Sequence, residues 1–174
     1  MSNPRASLKL GPRFNDAFLY AAEKHAAQTR KKTDVPYISH LMSVAALVLE
    51  AGGGEDEAVA ALLHDVVEDC GGEPVLEEVR ERFGDHVAKI VAGCTDAYTI
   101  PKPPWKQRKL DYLDVLRRAG DDIRLVSAAD KLHNVRTIPC RLPQGGRRGL
   151  GPLQRTPRRY PLVLPRGPRR ASGR

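Results

Sequence analysis

The pair His64-Asp65 follows an apolar run, Ala60-Ala61-Leu62-Leu63, and is itself followed by Val66-Val67 and a second ionisable pair, Glu68-Asp69. The apolar positions recur three and four apart, the period of a helix that faces a core. Residues four apart share a helix face, so Glu68 stands one turn beyond His64 and Asp69 one turn beyond Asp65. Unpaired charges are costly to bury, and a bound cation would offset that cost. Two more residues fit the same chemistry: His40, at the start of another predicted helix, and Asp130, set among Ala128, Ala129 and Leu132. Together His40, His64, Asp65 and Asp130 supply two imidazoles and two carboxylates. A nitrogen and oxygen donor set without thiolate suits Mn²⁺, Fe²⁺ or Zn²⁺ and leaves positions open for water and substrate. A metal held this way lowers the pKa of its water, and a neighbouring carboxylate can take or return a proton.

Several helices must position these groups. The pattern predicts a first helix over residues 14–30, with Phe14, Phe18, Ala21, Ala22 and His25 on its inner face. Arg30-Lys31-Lys32 closes it, where cations complement the helix dipole, or else forms one wall of an anion pocket. Pro36 sets an extended entry, and Ser39 is the expected cap of a helix over 41–50. Gly52-Gly53-Gly54 ends that helix, Glu55-Asp56-Glu57 opens the central one, and Gly71-Gly72 stops it. Helices are expected over 74–83, 85–94 and 105–119, with a proline loop (Pro101, Pro103, Pro104) before the last of these. A final helix over 123–138, capped by Asp121-Asp122, turns Leu125, Val126, Ala129 and Leu132 inward. It aligns Asp130, Asn134 and Thr137 on one face. His86 reads as a surface histidine. No strand pattern appears, so the expected body is all-α.

The length of 174 residues suits one domain with a sizeable core. The net charge of +8 is unevenly placed. Residues 139–174 hold ten arginines and no acid, whereas residues 1–138 hold 19 Lys and Arg against all 21 Asp and Glu. A basic domain surface is therefore not the source of the charge. Cys70, Cys94 and Cys140 lack paired spacing, which argues for reduced thiols. No signal peptide and no apolar stretch of ~18 to 20 residues is present, and the expectation is a soluble cytoplasmic protein without membrane contact.

Four ordered motifs, Gln28-Thr29-Arg30-Lys31, Pro36-Tyr37-Ile38-Ser39-His40, Leu62 to Asp69, and Ala129-Asp130-Lys131-Leu132-His133-Asn134, resemble the hydrolase domain of the RelA/SpoT alarmone enzymes. That domain is a branch of the HD-domain metal phosphohydrolases. The resemblance runs from about residue 14 to 138. It implies an HD-domain helical bundle that hydrolyses the 3′ diphosphate of guanosine tetra- or pentaphosphate, giving pyrophosphate and GDP or GTP, usually with Mn²⁺. By motif, His40, His64, Asp65 and Asp130 would bind metal, and Glu68 and Asp69 would position and activate water. Arg30 and Lys31 would border the nucleotide, and Asn134 and Thr137 would contact its guanosine part. His25 and His133 are expected to be structural. Leu41 and Cys70 depart from the residues usual at those places, and neither is an expected ligand.

Three segments follow: a lead over 1–13, the hydrolase domain over 14–138 and an irregular tail over 139–174. The tail holds seven prolines, six glycines and ten arginines, a composition that sustains neither helix nor core. It stands where the family continues with further helices, and its bias resembles coding sequence read out of frame. A basic nucleic-acid arm is the less favoured reading, because Tyr160 is its single aromatic. The resemblance suggests a stand-alone small hydrolase. Two alternatives stay open: an HD phosphohydrolase for another nucleotide, and an impaired metal- or nucleotide-binding module. A homodimer would cover core surface left by absent helices.

Overall fold

The computed structural model describes residues 9–96, 98 and 104–137, all within one compact unit. Residues 1–8 of the lead over 1–13 and the tail over 139–174, with Cys140, lie outside the described residues, as do Ile138 and Pro101 and Pro103 of the expected proline loop. The described residues form eight helices and no strand: α1 (Pro12–Lys24), α2 (Ile38–Glu50), α3 (Glu55–Leu63), α4 (Val66–Cys70), α5 (Glu73–Phe83), α6 (Asp85–Cys94), α7 (Trp105–Arg118) and α8 (Asp121–Thr137). The all-α expectation agrees with this architecture.

Helix α3 is the centre, packing on α1, α2, α6 and α8. Ala58 to Leu63 are all buried, as a helix surrounded on every side requires. Burial of each large aliphatic side chain here, such as Val59, Leu62 or Leu63, contributes roughly 1.5–3 kcal/mol. Three acids in its first turn face the positive end of its dipole, and Glu57 returns a carboxylate to the Gly54 N–H at 2.9 Å.

Several local expectations need correction. Helix α1 ends at Lys24, six residues before Arg30. Residues 25–37 instead form a loop closed by an antiparallel bridge between Thr29 and Pro36. In that loop the Arg30 N–H donates to Val35 O and the Tyr37 N–H to Gln28 O, both at 2.9 Å. Lys32 takes a positive φ of 62°, which no helix end of the expected kind would need. The basic cluster is thus a turn, not the last turn of a helix. Helix α2 begins at Ile38, so Ser39 lies inside its first turn and does not cap it. The central segment is not one helix: α3 stops at Leu63 and α4 resumes at Val66, with His64 and Asp65 in the turn between. Both residues keep right-handed backbone angles, and the Asp69 N–H still reaches Asp65 O at 3.0 Å. Helix α8 includes Asp121 and Asp122 as its first turn. Leu132, expected inside, is 43% exposed, because it stands on the rim of a groove between α2 and α8 with Leu47 and Leu125.

Candidate active site

The site is assembled where α2, the His64-Asp65 turn and α8 meet. His40 is fixed in the first turn of α2 and is 1% exposed. His64 Nδ1 donates to Ala61 O at 2.8 Å, one turn back, so the ring presents Nε2 to the interior. Asp130 rides on the inner face of α8 and is nearly buried.

His40, His64 and Asp65 each bring one donor atom to a common point, all within 4.8 Å of one another. His64 Nε2 lies 3.1 Å from Asp65 Oδ2, and His40 Nε2 lies 3.6 Å from the same oxygen. Asp130 Oδ1 lies 3.2 Å from His40 Nε2 and 3.8 Å from His64 Nε2. Such separations suit donors about 2.1 Å from a shared ion. His64 Nε2 is buried and makes no hydrogen bond, the condition of a nitrogen whose lone pair serves a cation. Geometry and donor chemistry therefore fit a divalent metal.

The electrostatics are tightly balanced. Burial lowers His40 despite its bond with Asp130. Burial also opposes charge on His64, yet the carboxylates of Asp65 and Asp130 outweigh it and hold that imidazole well above its ordinary value, so a proton and a metal ion would compete for Nε2. In return, and against their own burial, Asp65 is held below the usual carboxylate range by the His64 imidazole and the Tyr37 hydroxyl, and Asp130 by the imidazoles of His40 and His64.

A second set of side chains orients these groups. Tyr37 donates its hydroxyl to Asp65 Oδ2 at 2.5 Å, and its ring stacks on His25 at 5.0 Å and meets His40 edge-on at 5.5 Å. His133 Nδ1 lies 2.7 Å from His40 Nδ1. Four of the five histidines thus gather around one centre, with Tyr37 between His25 and His40. Asn134 Nδ2 donates to Asp130 Oδ1 and Arg30 Nη2 donates to Asn134 Oδ1, both at 2.6 Å. Lys131 Nζ takes the other Asp130 oxygen at 2.6 Å.

An open cavity of about 470 Å³ is lined by Arg30, Lys31, Tyr37, His40, Asp65, Asp130, Lys131, Asn134 and Val135. Its lining brings metal-type donors together with three cations. Thr137 does not line it: its hydroxyl donates to Asn134 O at 2.9 Å, and it borders a neighbouring cavity of about 280 Å³ with Arg30 and His133. Glu68 and Asp69 also lie outside that lining. Asp69 accepts from Gln28 Nε2 at 2.9 Å.

Sequence reasoning missed Lys131, Asp96 and the orienting contacts of Tyr37 and His133. Lys131 adjoins Asp130, a visible cue that a second cation accompanies the carboxylate. Asp96 gave no such cue, since its cationic partners follow it by twelve and thirteen residues. Among the described residues no helix is long and apolar enough to cross a membrane.

Residues 17–149 match the family model for the HD domain. The chain is 39% identical over 133 residues to guanosine-3′,5′-bis(diphosphate) 3′-pyrophosphohydrolase MESH1 of Xenopus tropicalis, covering 75% of this chain and 72% of that one. It is 38% identical to the human protein of the same name over 129 residues, 72% of this chain and 69% of that one. A guanosine-3′,5′-bis(diphosphate) 3′-pyrophosphohydrolase of Aquifex aeolicus is 39% identical over 125 residues, 70% of this chain but 17% of that longer one. Among solved structures, a metazoan ortholog of SpoT, described as hydrolysing ppGpp, superposes with a TM-score of 0.69 at 31% identity, over 80% of this chain and 77% of that one.

Proposed function

Because this chain belongs to the HD-domain family, we propose that it is a metal-dependent phosphohydrolase acting on guanosine tetra- or pentaphosphate. It removes the 3′ diphosphate as pyrophosphate and leaves GDP or GTP. One observation carries the reading: a single cavity joins the His40, Asp65 and Asp130 donors to the Arg30, Lys31 and Lys131 cations. Metal donors without cations would serve many ions, and cations without donors would serve any anion. The pairing suits a polyphosphate that is both held and cleaved.

In this reading His40, His64, Asp65 and Asp130 hold the metal, with Mn²⁺ as the expected ion and Fe²⁺ or Zn²⁺ as the alternatives. When bound, such an ion polarises a phosphoryl oxygen and lowers the pKa of a coordinated water. The remaining steps belong to the protein. Arg30 and Lys31 border the nucleotide and neutralise phosphate charge, a role in which the buried Arg30 fork is already oriented by Asn134. Asn134 and Thr137 contact the guanosine part. Glu68 and Asp69 position the attacking water, take its proton and return one to the leaving oxygen. Tyr37 keeps Asp65 in place through its hydroxyl.

The domain over 14–138, a cytoplasmic setting and a homodimer belong to the same proposal, the dimer covering exposed Met42 and Leu132. The test is pyrophosphate release from guanosine tetraphosphate by the full chain, with Mn²⁺ and with chelator, beside a panel of other nucleotides. Selective, metal-dependent release is expected. Release from another nucleotide instead would move the substrate assignment. A folded, metal-loaded chain that cleaves none would mark the site as a binding module.

A further inference from the structure

The loop over 25–37 grips the catalytic segment at two points one helical turn apart. Tyr37 donates its hydroxyl to Asp65 Oδ2 at 2.5 Å, and Gln28 Nε2 donates to Asp69 Oδ2 at 2.9 Å. The two donors are joined within the loop, where the Tyr37 N–H donates to Gln28 O at 2.9 Å beside the Thr29 and Pro36 bridge. Their acceptors are joined as well, through the Asp69 N–H and Asp65 O at 3.0 Å. Loop and helix thus form a closed circuit of hydrogen bonds, in which the placement of Asp69 is tied to that of the proposed metal ligand Asp65.

The Gln28 amide is itself aimed. His25 caps α1, and the Gln28 N–H donates to His25 O at 2.9 Å, a turn that brings the two side chains together. His25 Nδ1 lies 2.6 Å from Gln28 Oε1. A carboxamide oxygen accepts and cannot donate, so Nδ1 carries the proton. His25 Nε2, buried without a hydrogen-bond partner, is then a lone pair and not an orphaned donor. Turning the amide over would set its oxygen against the Asp69 carboxylate, so these contacts fix the imidazole tautomer and the amide together. Cys70 Sγ is farther from Nδ1, at 3.9 Å, and gives its weak proton to Lys24 O at 3.6 Å. The His25 ring is 2% exposed and stacked on Tyr37, which makes it a rigid backing for Gln28.

We propose that Gln28, backed by His25, is a positioning residue that sets the Asp69 carboxylate for proton transfer one turn from Asp65. The proposal rests on the hydrolase reading, in which Asp69 handles the proton of the attacking water. Asp69 is exposed, and a solvated carboxylate spreads over several rotamers. A hydrogen bond from a donor that is itself fixed narrows that spread. An amide neither gains nor loses a proton, so it holds Asp69 without competing for the proton in transfer. Gln28 does not line the cavity, and its effect on turnover therefore passes through Asp69, with metal and nucleotide held by other groups.

The experiment uses the full chain loaded with Mn²⁺, as wild type and as Gln28→Met, which keeps the length of the side chain and removes its amide. Gln28→Glu is a second variant, which turns a like charge on Asp69. The expected result is a kcat for pyrophosphate release lower by about 10-fold in Gln28→Met and lower still in Gln28→Glu, with KM and Mn²⁺ affinity changed by about threefold or less. An unchanged kcat in Gln28→Met, or a loss matched in KM or in Mn²⁺ affinity, would overturn the positioning role. Nuclear magnetic resonance of the isotope-labelled chain, with diamagnetic Zn²⁺ in place of Mn²⁺, reads the contact directly. The Gln28 side-chain amide signals, identified by their absence from Gln28→Met, are expected to shift in Asp69→Ala and in His25→Phe. If wild type itself cleaves no guanosine tetraphosphate, the hydrolase reading fails on its own. Gln28 is then judged by the spectrum, and amide signals that stay in place in Asp69→Ala overturn the proposal.

Discussion

The Nδ1 atoms of His40 and His133 lie 2.7 Å apart, so one ring donates its proton to the other. Burial is the largest cause that pushes each of them below its ordinary pKa, and two neutral rings can share such a bond where two imidazolium ions cannot. The contact orients His40 so that Nε2 faces Asp65 and Asp130. His133→Ala is therefore expected to weaken Mn²⁺ binding by about 10- to 100-fold, measured by titration of free Mn²⁺ with electron paramagnetic resonance. An unchanged affinity would mean that the Tyr37 contact orients His40 unaided.

Glu68 and Asp69 stand outside the cavity lining, and metal binding and turnover should separate there. The Glu68→Gln, Asp69→Asn double variant is expected to keep Mn²⁺ affinity and to lose about 10²- to 10⁴-fold in kcat. Calorimetric metal titration beside steady-state kinetics checks both halves. Turnover that survives the double change would assign the proton transfer to another group.

Gly93 shows packing overriding local propensity. In a helix interior Gly→Ala normally stabilises by about 1 kcal/mol. A Cβ at Gly93 would meet Ile123 side-chain atoms at 2.7, 2.8 and 3.0 Å, and Ile123 is itself buried in the core. Overpacking of this kind costs about 1–3 kcal/mol. Gly93→Ala should therefore lower the midpoint of chemical denaturation; a raised midpoint would show that α6 and α8 separate freely.

His86, expected as a plain surface histidine, bridges Asp56 at 2.9 Å and Asp122 at 3.1 Å. Its bonds to these carboxylates raise its pKa above 6.5. A raised folded-state pKa means stabilisation that is full below the unfolded value and is lost as pH rises through the folded one. The side chain is 49% exposed, so the contribution is about 1 kcal/mol or less. Thermal midpoints of wild type and His86→Gln should differ most near about pH 5.5 and converge towards about pH 8.5. A gap that widens with rising pH would refute the bridge.

By itself the sequence determined the helical class, the three segments that carry His40, His64-Asp65 and Asp130, and the face shared by Asp130 and Asn134. Those facts follow from short-range periodicity and from the scarcity of buried charge, both written along the chain. It also marked residues 28–31 by motif, but it read Arg30 as a helix end. That reading failed because a backbone bridge between Thr29 and Pro36 is invisible to a periodicity argument. Tertiary structure alone decided that Arg30 reaches Asn134 across 104 residues, that His133 backs His40 across 93, and that Asp96 pairs with Arg108 and Lys109 of α7. The physical reason is range. Helix propensity and amphipathic faces are settled within a few residues, whereas a side chain's hydrogen-bond partner is settled by which helices the core brings together.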